Sequence, residues 1–316
     1  IVNANPVQAT GNTLTPVSYE IAGLTQLTTY HFRCVGTGPG GTVYGDDQVF
    51  TTGCFTPALP GTITGLQSVC KNTTGIVYSI DPIASATGYS WTVPAGATIA
   101  SGANTTSITV DFSVSAISGN VTVRGNNNCG DGPATALPVT INELPVPAVS
   151  GPVSLCQNTT GNVYTTEAGM SNYNWSVSGG TITAGAGTNS VTVTWDVAGA
   201  QTVNVNYSNA NGCSAVSPTS YPVTVLDLPV PTISGANVAC ESTLYLDYTT
   251  EPGMTNYVWD MTPNSGTITL SNSNVTTIFW TSAGAKWVSV LSTDNIGCTA
   301  LPTIYYVTVI PLPAAP

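Results

Sequence analysis

The sequence predicts an all-β protein built as a string of β-sandwiches. Apolar and polar residues alternate with period two through stretches such as SITVDF, SVTVTW and VTTIFW. Gly, Asn, Asp and Pro punctuate the chain at the spacing of turns between short strands, and no window carries helical periodicity. A pattern of two cysteines and a tryptophan also recurs three times. Period-two alternation marks strands with one face buried, and short strands separated by regular turns mark a sandwich.

The repeat fixes the order of elements. The first cysteines, Cys70, Cys156 and Cys240, are 86 and 84 residues apart, and the second, Cys129, Cys213 and Cys298, are 84 and 85 apart. Each copy carries an aromatic phrase (GYSW, NYNW, NYVW) that ends on Trp91, Trp175 or Trp259. A Thr-Ile pair follows, then an alternating strand that ends on Phe112, Trp195 or Trp280. A second alternating strand (NVTVRG, TVNVNYS, WVSVLST) runs into an Asn/Gly turn and the second cysteine. The last strand (LPVTI, YPVTV, YYVTV) leads into a proline phrase, LPVP at 144–147 and 228–231. About seven short strands in a copy of about 84 residues suit one sandwich, with Trp and Ile or Val filling the space between two sheets.

Composition narrows the function. Only 6% of the 316 residues are charged, and 15 acids face four cations, Lys71, Lys286, Arg33 and Arg124, for a net charge of −11. Four cations cannot form the phosphate footprint of a nucleic-acid binder, and an anionic membrane surface is disfavoured for the same reason. No apolar run approaches the ~20 residues of a spanning helix. The opening IVNANP shows no signal peptide, and both ends read as cuts within a longer polypeptide.

Eight cysteines in a Thr-rich, Lys-poor chain indicate an oxidising, extracytoplasmic compartment. Zinc is disfavoured, because no two cysteines are spaced as ligands and His31 is the only histidine. The repeat suggests one bridge per copy: Cys70–Cys129, Cys156–Cys213 and Cys240–Cys298. Each would tie two loops at one end of its sandwich, because QNTTG follows Cys156 and NANG precedes Cys213. Cys34 and Cys54 remain either paired or free. Cys34 follows Tyr30 and Phe32 on an inward face, where a simple hairpin register sets it opposite about Gln48.

Residues 23–52 resemble the last strands of a fibronectin type III domain, with Leu24 and Tyr30 at the positions of its buried leucine and corner tyrosine and VFTT at its closing strand. Only about 50 residues carry this likeness, so a half sandwich with an exposed edge and core face is expected, its missing strands lying before Ile1 or coming from a neighbouring chain. The three later copies resemble the PKD-like or Ig-like repeats of very large surface proteins of Bacteroidota, through VCxNT, YxW, NxxGC and LPxP phrases. The resemblance implies type IX secretion and adhesins, including those of gliding motility. It gives a partial fibronectin type III-like module at 1–56 and three PKD-like/Ig-like sandwiches at 57–143, 144–227 and 228–316, joined as an extended rod.

No catalytic constellation stands out. His31 is out of phase with Tyr30 and Phe32 and is expected to face solvent, and Asp46 and Asp47 read as a turn. Asp81, Glu167 and Glu251 recur before the Trp phrase as a loop feature, one acid per copy. Glu143 and Asp227 precede the LPVP joints and are weak calcium candidates, against the simpler reading of solvated charges, because the third joint has Pro311 there. Trp287, opposite Gln201 in the second copy and Ser118 or Gly119 in the first, is the candidate surface contact. The sequons at Asn72, Asn158 and Asn274 read as composition. No other cofactor is implied.

The joints are stiff, because two prolines in LPVP fix φ and bias their neighbours toward extended backbone. The sequence therefore reads as a non-catalytic stalk or adhesive segment of a large extracellular, cell-surface protein. Its partners would be other domains of the same chain, a surface polysaccharide or protein, or further copies of itself. Two alternatives stay open: an accessory module string of a secreted hydrolase, and a self-assembling fibre subunit.

Overall fold

The computed structural model describes residues 15–269 and 272–313, so the IVNANP opening and the final residues lie outside the described residues. The chain divides into two compact units, Ile1–Asn142 and Glu143–Pro316. The described residues form β-strands and turns with no helix, so none is long and apolar enough to cross a membrane.

The first unit opens with β1 (Thr29–Phe32), β2 (Val35–Gly38), β3 (Gly41–Tyr44) and β4 (Gln48–Thr51). Here β1 pairs with β4 and β2 with β3, all antiparallel. The unit continues with β5 (Ser68–Cys70), β6 (Ile76–Ser79), β7 (Gly88–Thr92), β8 (Ala97–Ser101), β9 (Ser107–Phe112), β10 (Gly119–Asn127) and β11 (Gly130–Asn142). These make a sheet ordered β5-β11-β10-β7 and a second ordered β6-β9-β8.

The second unit holds two more such pairs of sheets. The first consists of β12 (Ser154–Cys156), β13 (Asn162–Thr165), β14 (Ser171–Val177), β15 (Gly180–Ala184), β16 (Ser190–Trp195), β17 (Gly199–Ser208) and β18 (Thr219–Leu226). Its sheets are β12-β18-β17-β14 and β13-β16-β15. The other comprises β19 (Ser234–Gly235), β20 (Val238–Cys240), β21 (Tyr245–Thr249), β22 (Thr255–Met261), β23 (Gly266–Ile268), β24 (Val275–Trp280), β25 (Gly284–Thr293) and β26 (Thr303–Ile310). Its sheets are β20-β26-β25-β22 and β19-β21-β24-β23.

The three alternating stretches named from sequence are β9, β16 and β24, and in each every second residue is fully buried. Phe112, Trp195 and Trp280 are at most 1% exposed. The tryptophan of each aromatic phrase is also interior, and its indole N–H donates to a turn carbonyl 2.8 Å away: Thr105 for Trp91, Thr188 for Trp175 and Ser273 for Trp259. The repeated tryptophan is thus interior apart from one polar atom, which ties it to the loop before the next strand.

Tyr78, Tyr164 and Tyr248 complete each core, fully buried, each hydroxyl donating to a carbonyl twelve residues earlier. Opposite each ring lies a glycine, Gly65, Gly151 or Gly235, where a Cβ would come within 2.4 Å of ring carbon. Ring and chain approach so closely that no side chain fits between them.

One strand in each sandwich pairs parallel while the others pair antiparallel. The short strand that ends on the first cysteine runs alongside the last strand of its own sandwich, setting Cys70 against Asn142, Cys156 against Leu226 and Cys240 against Ile310.

The N-terminal strands leave apolar surface in the open. Val17, Tyr19, Ile21, Phe32, Val43, Val49 and Phe50 are exposed, with Tyr19, Ile21, Leu24, Phe32 and Phe50 lining one shallow cleft. The Tyr30 hydroxyl accepts the Thr25 amide at 2.8 Å and holds the chain at that corner. Phe32 shares the face of Tyr30 and Phe50, but one expectation here is corrected. Cys34 is exposed and Gln48 lies opposite Phe32 instead, because the chain leaves β1 for the β2–β3 hairpin, whose Gly45 amide donates to the Cys34 carbonyl.

Candidate functional site: the bridged joint

The residues that repeat without serving a core converge on the joints. The second cysteine of each copy sits in a turn that an Asx side chain organises. In the second copy the Asn209 side-chain oxygen accepts the amides of Asn211 and Cys213, and the Asn209 amide donates to the Cys213 carbonyl. Asp294 does the same for Ile296 and Cys298, and Asn127 accepts the Cys129 amide at 2.8 Å. Gly212 and Gly297 close their turns at φ 78° and 94°, where a side chain is strained. These turns bury the cysteine, with Cys213 1% and Cys298 0% exposed.

The first cysteine is held just as firmly. Beyond Cys156 the Gln157 amide donates to the Leu226 carbonyl, Asn158 takes a left-handed φ of 63° and its amide donates to the Trp195 carbonyl. The Thr159 hydroxyl then donates to the Cys156 carbonyl at 2.7 Å. Asn72, at φ 57°, occupies the equivalent place in the first copy, which accounts for the Asn of those two sequons.

The bridges these cysteines form overturn the expected pairing. Cys156 bonds to Cys298, 142 residues away in the following sandwich, with Cα atoms 5.4 Å apart. Cys54 bonds to Cys129 across a separation of 75. Cys70 and Cys213 are disulfide-bonded too. The pairs Cys70–Cys129, Cys156–Cys213 and Cys240–Cys298 therefore do not form, nor does Cys34–Cys54, and Cys34 and Cys240 are exposed thiols. The physical reason is direction. The first cysteine leaves its parallel strand beside the end of the last strand, at the joint, where the turn of the next sandwich arrives. Leu228 of the joint, Gln157, Asn158 and Thr159 line a cleft there with Gly297, Thr299 and Leu301.

The recurring glutamates anchor the proline phrase to its sandwich. The Ala148 amide, directly after LPVP, donates to both Glu167 carboxylate oxygens at 3.2 Å, and Thr166 and Tyr207 hydroxyls donate to the same group. Glu251 repeats this with the Thr232 amide at 3.1 and 2.9 Å and the hydroxyls of Thr232 and Thr250. Partial burial alone would raise the Glu251 pKa, but the hydrogen bonds from Thr232 and Thr250 outweigh it and hold the carboxyl at about 2. Glu167 is lowered by the same balance, while burial and then the bond to Glu167 push Tyr207 to about 12. In the second and third copies the recurring loop acid is thus a latch on the joint, whereas Asp81 of the first makes no such bond. The recurrence of Glu167 and Glu251 at one place in their copies was the signal in the sequence that pointed to it.

The remaining candidates fall elsewhere. His31 Nδ1 meets the Asp47 carboxylate at 2.6 Å on an open surface. The Glu143 carbonyl accepts the Asn209 side-chain amide at 3.0 Å. Among the described residues no three His, Cys, Asp or Glu side chains gather as metal ligands. Trp287 is half-buried on β25 opposite the exposed Tyr306. The register corrects its counterparts to Thr202 and Asn120, since Val290, Val205 and Val123 each face the repeated tryptophan.

Paired sheets repeated along one chain, latched and sulfur-bridged at their joints, define a tandem Ig-like β-sandwich protein. The PKD-like domain family matches residues 56–139 and 143–223, more than half of the sequence, and the chain belongs to that family. No curated protein matches it. Among solved structures it is similar to three Ig domains of titin, at 9% identity over 82% of this chain and 97% of that one, with a TM-score of 0.31. It is similar also to the Escherichia coli adhesin FdeC (16% identity, 79% and 96% covered, TM-score 0.29). A third is invasin, a bacterial integrin-binding protein (12% identity, 86% and 68% covered, TM-score 0.34). At these scores the likeness says nothing about function.

Proposed function

We propose that this chain is a load-bearing stalk segment of an extracellular surface adhesin. The observation that carries the reading is the Cys156–Cys298 bridge, which fastens one sandwich to the next. A bond that spans a joint prevents neighbouring modules from being drawn apart, which a bond within each module would not do. The glutamate latches add to this by fixing the chain where it enters each sandwich. Disulfides at this density suit an oxidising exterior, and with four Lys or Arg residues the chain offers few sites to trypsin-like proteases. Gliding-motility adhesion and type IX export remain part of the proposal on the resemblance alone, as do the four module boundaries set out from sequence.

Single-molecule pulling between the termini tests it. Without reductant, unfolding should never release the 142 residues between Cys156 and Cys298, a length of about 500 Å. With reductant that length should appear. Its full release without reductant would overturn the proposal. A catalytic domain elsewhere in the full-length polypeptide would favour the hydrolase-accessory reading instead.

A further inference from the structure

Cys240 is built like a bonded cysteine, yet it is an exposed thiol. Its strand pairing and three of the hydrogen bonds around Cys156 recur around it. Cys240 ends a short parallel strand opposite Ile310, as Cys156 does opposite Leu226. The Glu241 amide donates to the Ile310 carbonyl at 2.9 Å, where the Gln157 amide donates to Leu226 at 2.8 Å. Ser242 then takes a left-handed φ of 53°, with its amide on the Trp280 carbonyl, matching Asn158 on Trp195. The Thr243 hydroxyl donates to the Cys240 carbonyl as Thr159 does to Cys156.

A second observation, independent of the sulfur, concerns the joint. Leu228, two residues past the end of β18, lies in the cleft against Gly297, Thr299 and Leu301 of the following sandwich. Leu312 stands two residues past the end of β26 and is 51% exposed. Thiol and leucine are therefore both presented at the third sandwich in the way the second sandwich presents the pair that receives its neighbour.

We propose that Cys240 is the half-cystine for a further PKD-like repeat, which seats on Leu312 and supplies the buried cysteine of its Gly-Cys turn. The repeat comes from the same polypeptide or from another chain; the chemistry is the same. The oxidant is a disulfide, either a thiol–disulfide oxidoreductase or a low-molecular-weight disulfide such as oxidised glutathione. The Cys240 thiolate attacks it to give a mixed disulfide and release one thiol. The thiolate of the incoming repeat then attacks the Cys240 sulfur, forming the new S–S bond and releasing the second thiol. Two protein thiols lose two electrons and two protons, and the oxidant disulfide becomes two thiols.

The test extends the 316-residue chain after Pro316 with a second copy of its residues 233–316, refolds it with oxidised glutathione, alkylates it, and maps the unreduced peptides. The expected link joins Cys240 to the appended copy of Cys298, at the same 142-residue separation as Cys156–Cys298, and that native link in the same map reports correct folding. The appended copy of Cys240 should be alkylated or carry glutathione, in no protein disulfide. In the C240S variant the appended copy of Cys298 should be in the same state. An alkylated or glutathionylated Cys240 in the extended chain, or a bond within the appended copy, overturns the proposal. The unextended chain under the same oxidant should stay monomeric, with Cys34 and Cys240 alkylated or carrying glutathione. A Cys240–Cys240 dimer there would make a second copy the occupant and overturn it equally.

Discussion

Removing the bridge between the second and third sandwiches should weaken both of them. The perturbation is the double substitution Cys156→Ser and Cys298→Ser, which leaves no new thiol. If both sandwiches unfold together, the closed loop is 142 residues and the chain-entropy relation gives about 5 kcal/mol. If one sandwich opens while the other stays folded, the loop is only the opened module and its joint. That is roughly 70–80 residues on either side, worth about 4.5 kcal/mol in the same relation. The two figures are close because loop entropy grows only with the logarithm of length. Each sandwich should therefore lose a similar amount, although the bond lies in neither interior. Hydrogen exchange separates the two: amides of β17 report the second sandwich and those of β25 the third. A loss of about 4.5 kcal/mol accelerates exchange from the open state by about three orders of magnitude. A change confined to one sandwich, or under about tenfold in both, would refute the reasoning, since a bridge across a joint restrains whichever side unfolds.

Further predictions concern the latch and the cores. The Glu251 pKa falls from an ordinary 4.5 to about 2 on folding, so its contribution is complete above pH 4.5 and fades as pH falls toward 2. Melting temperature measured from pH 5 to pH 2 should drop less steeply in E251Q than in the wild type, and parallel curves would remove the latch. G151A places a Cβ 2.3 Å from the Tyr164 ring and should cost about 1–3 kcal/mol by urea denaturation. W195A empties the centre of the second sandwich and should cost about 3–5 kcal/mol, read by the loss of protection in β16 and β17. An unchanged midpoint in either variant would mean that these contacts do not hold the core.

The strands were legible because a half-buried strand writes its two faces into the chain residue by residue: SVTVTW is β16, with Val191, Val193 and Trp195 inside. The joints were legible as stiff segments because proline acts through its own ring. The glutamate latch was half legible, since Glu167 and Glu251 recur at a fixed place, but their partners are main-chain amides that every residue but proline offers.

The sequence by itself determined that this protein is all-β, three times repeated in its greater part, and bridged by sulfur. It could not determine which cysteines meet. In a periodic chain the second cysteine of the same copy and that of the next copy recur with equal regularity, so spacing weighs them the same. Tertiary structure decided between them through the parallel pairing of β12 with β18, which carries Cys156 to the end of its sandwich, where Cys298 of the following one arrives. That pairing is made by backbone hydrogen bonds, and backbone groups leave no mark on the order of side chains.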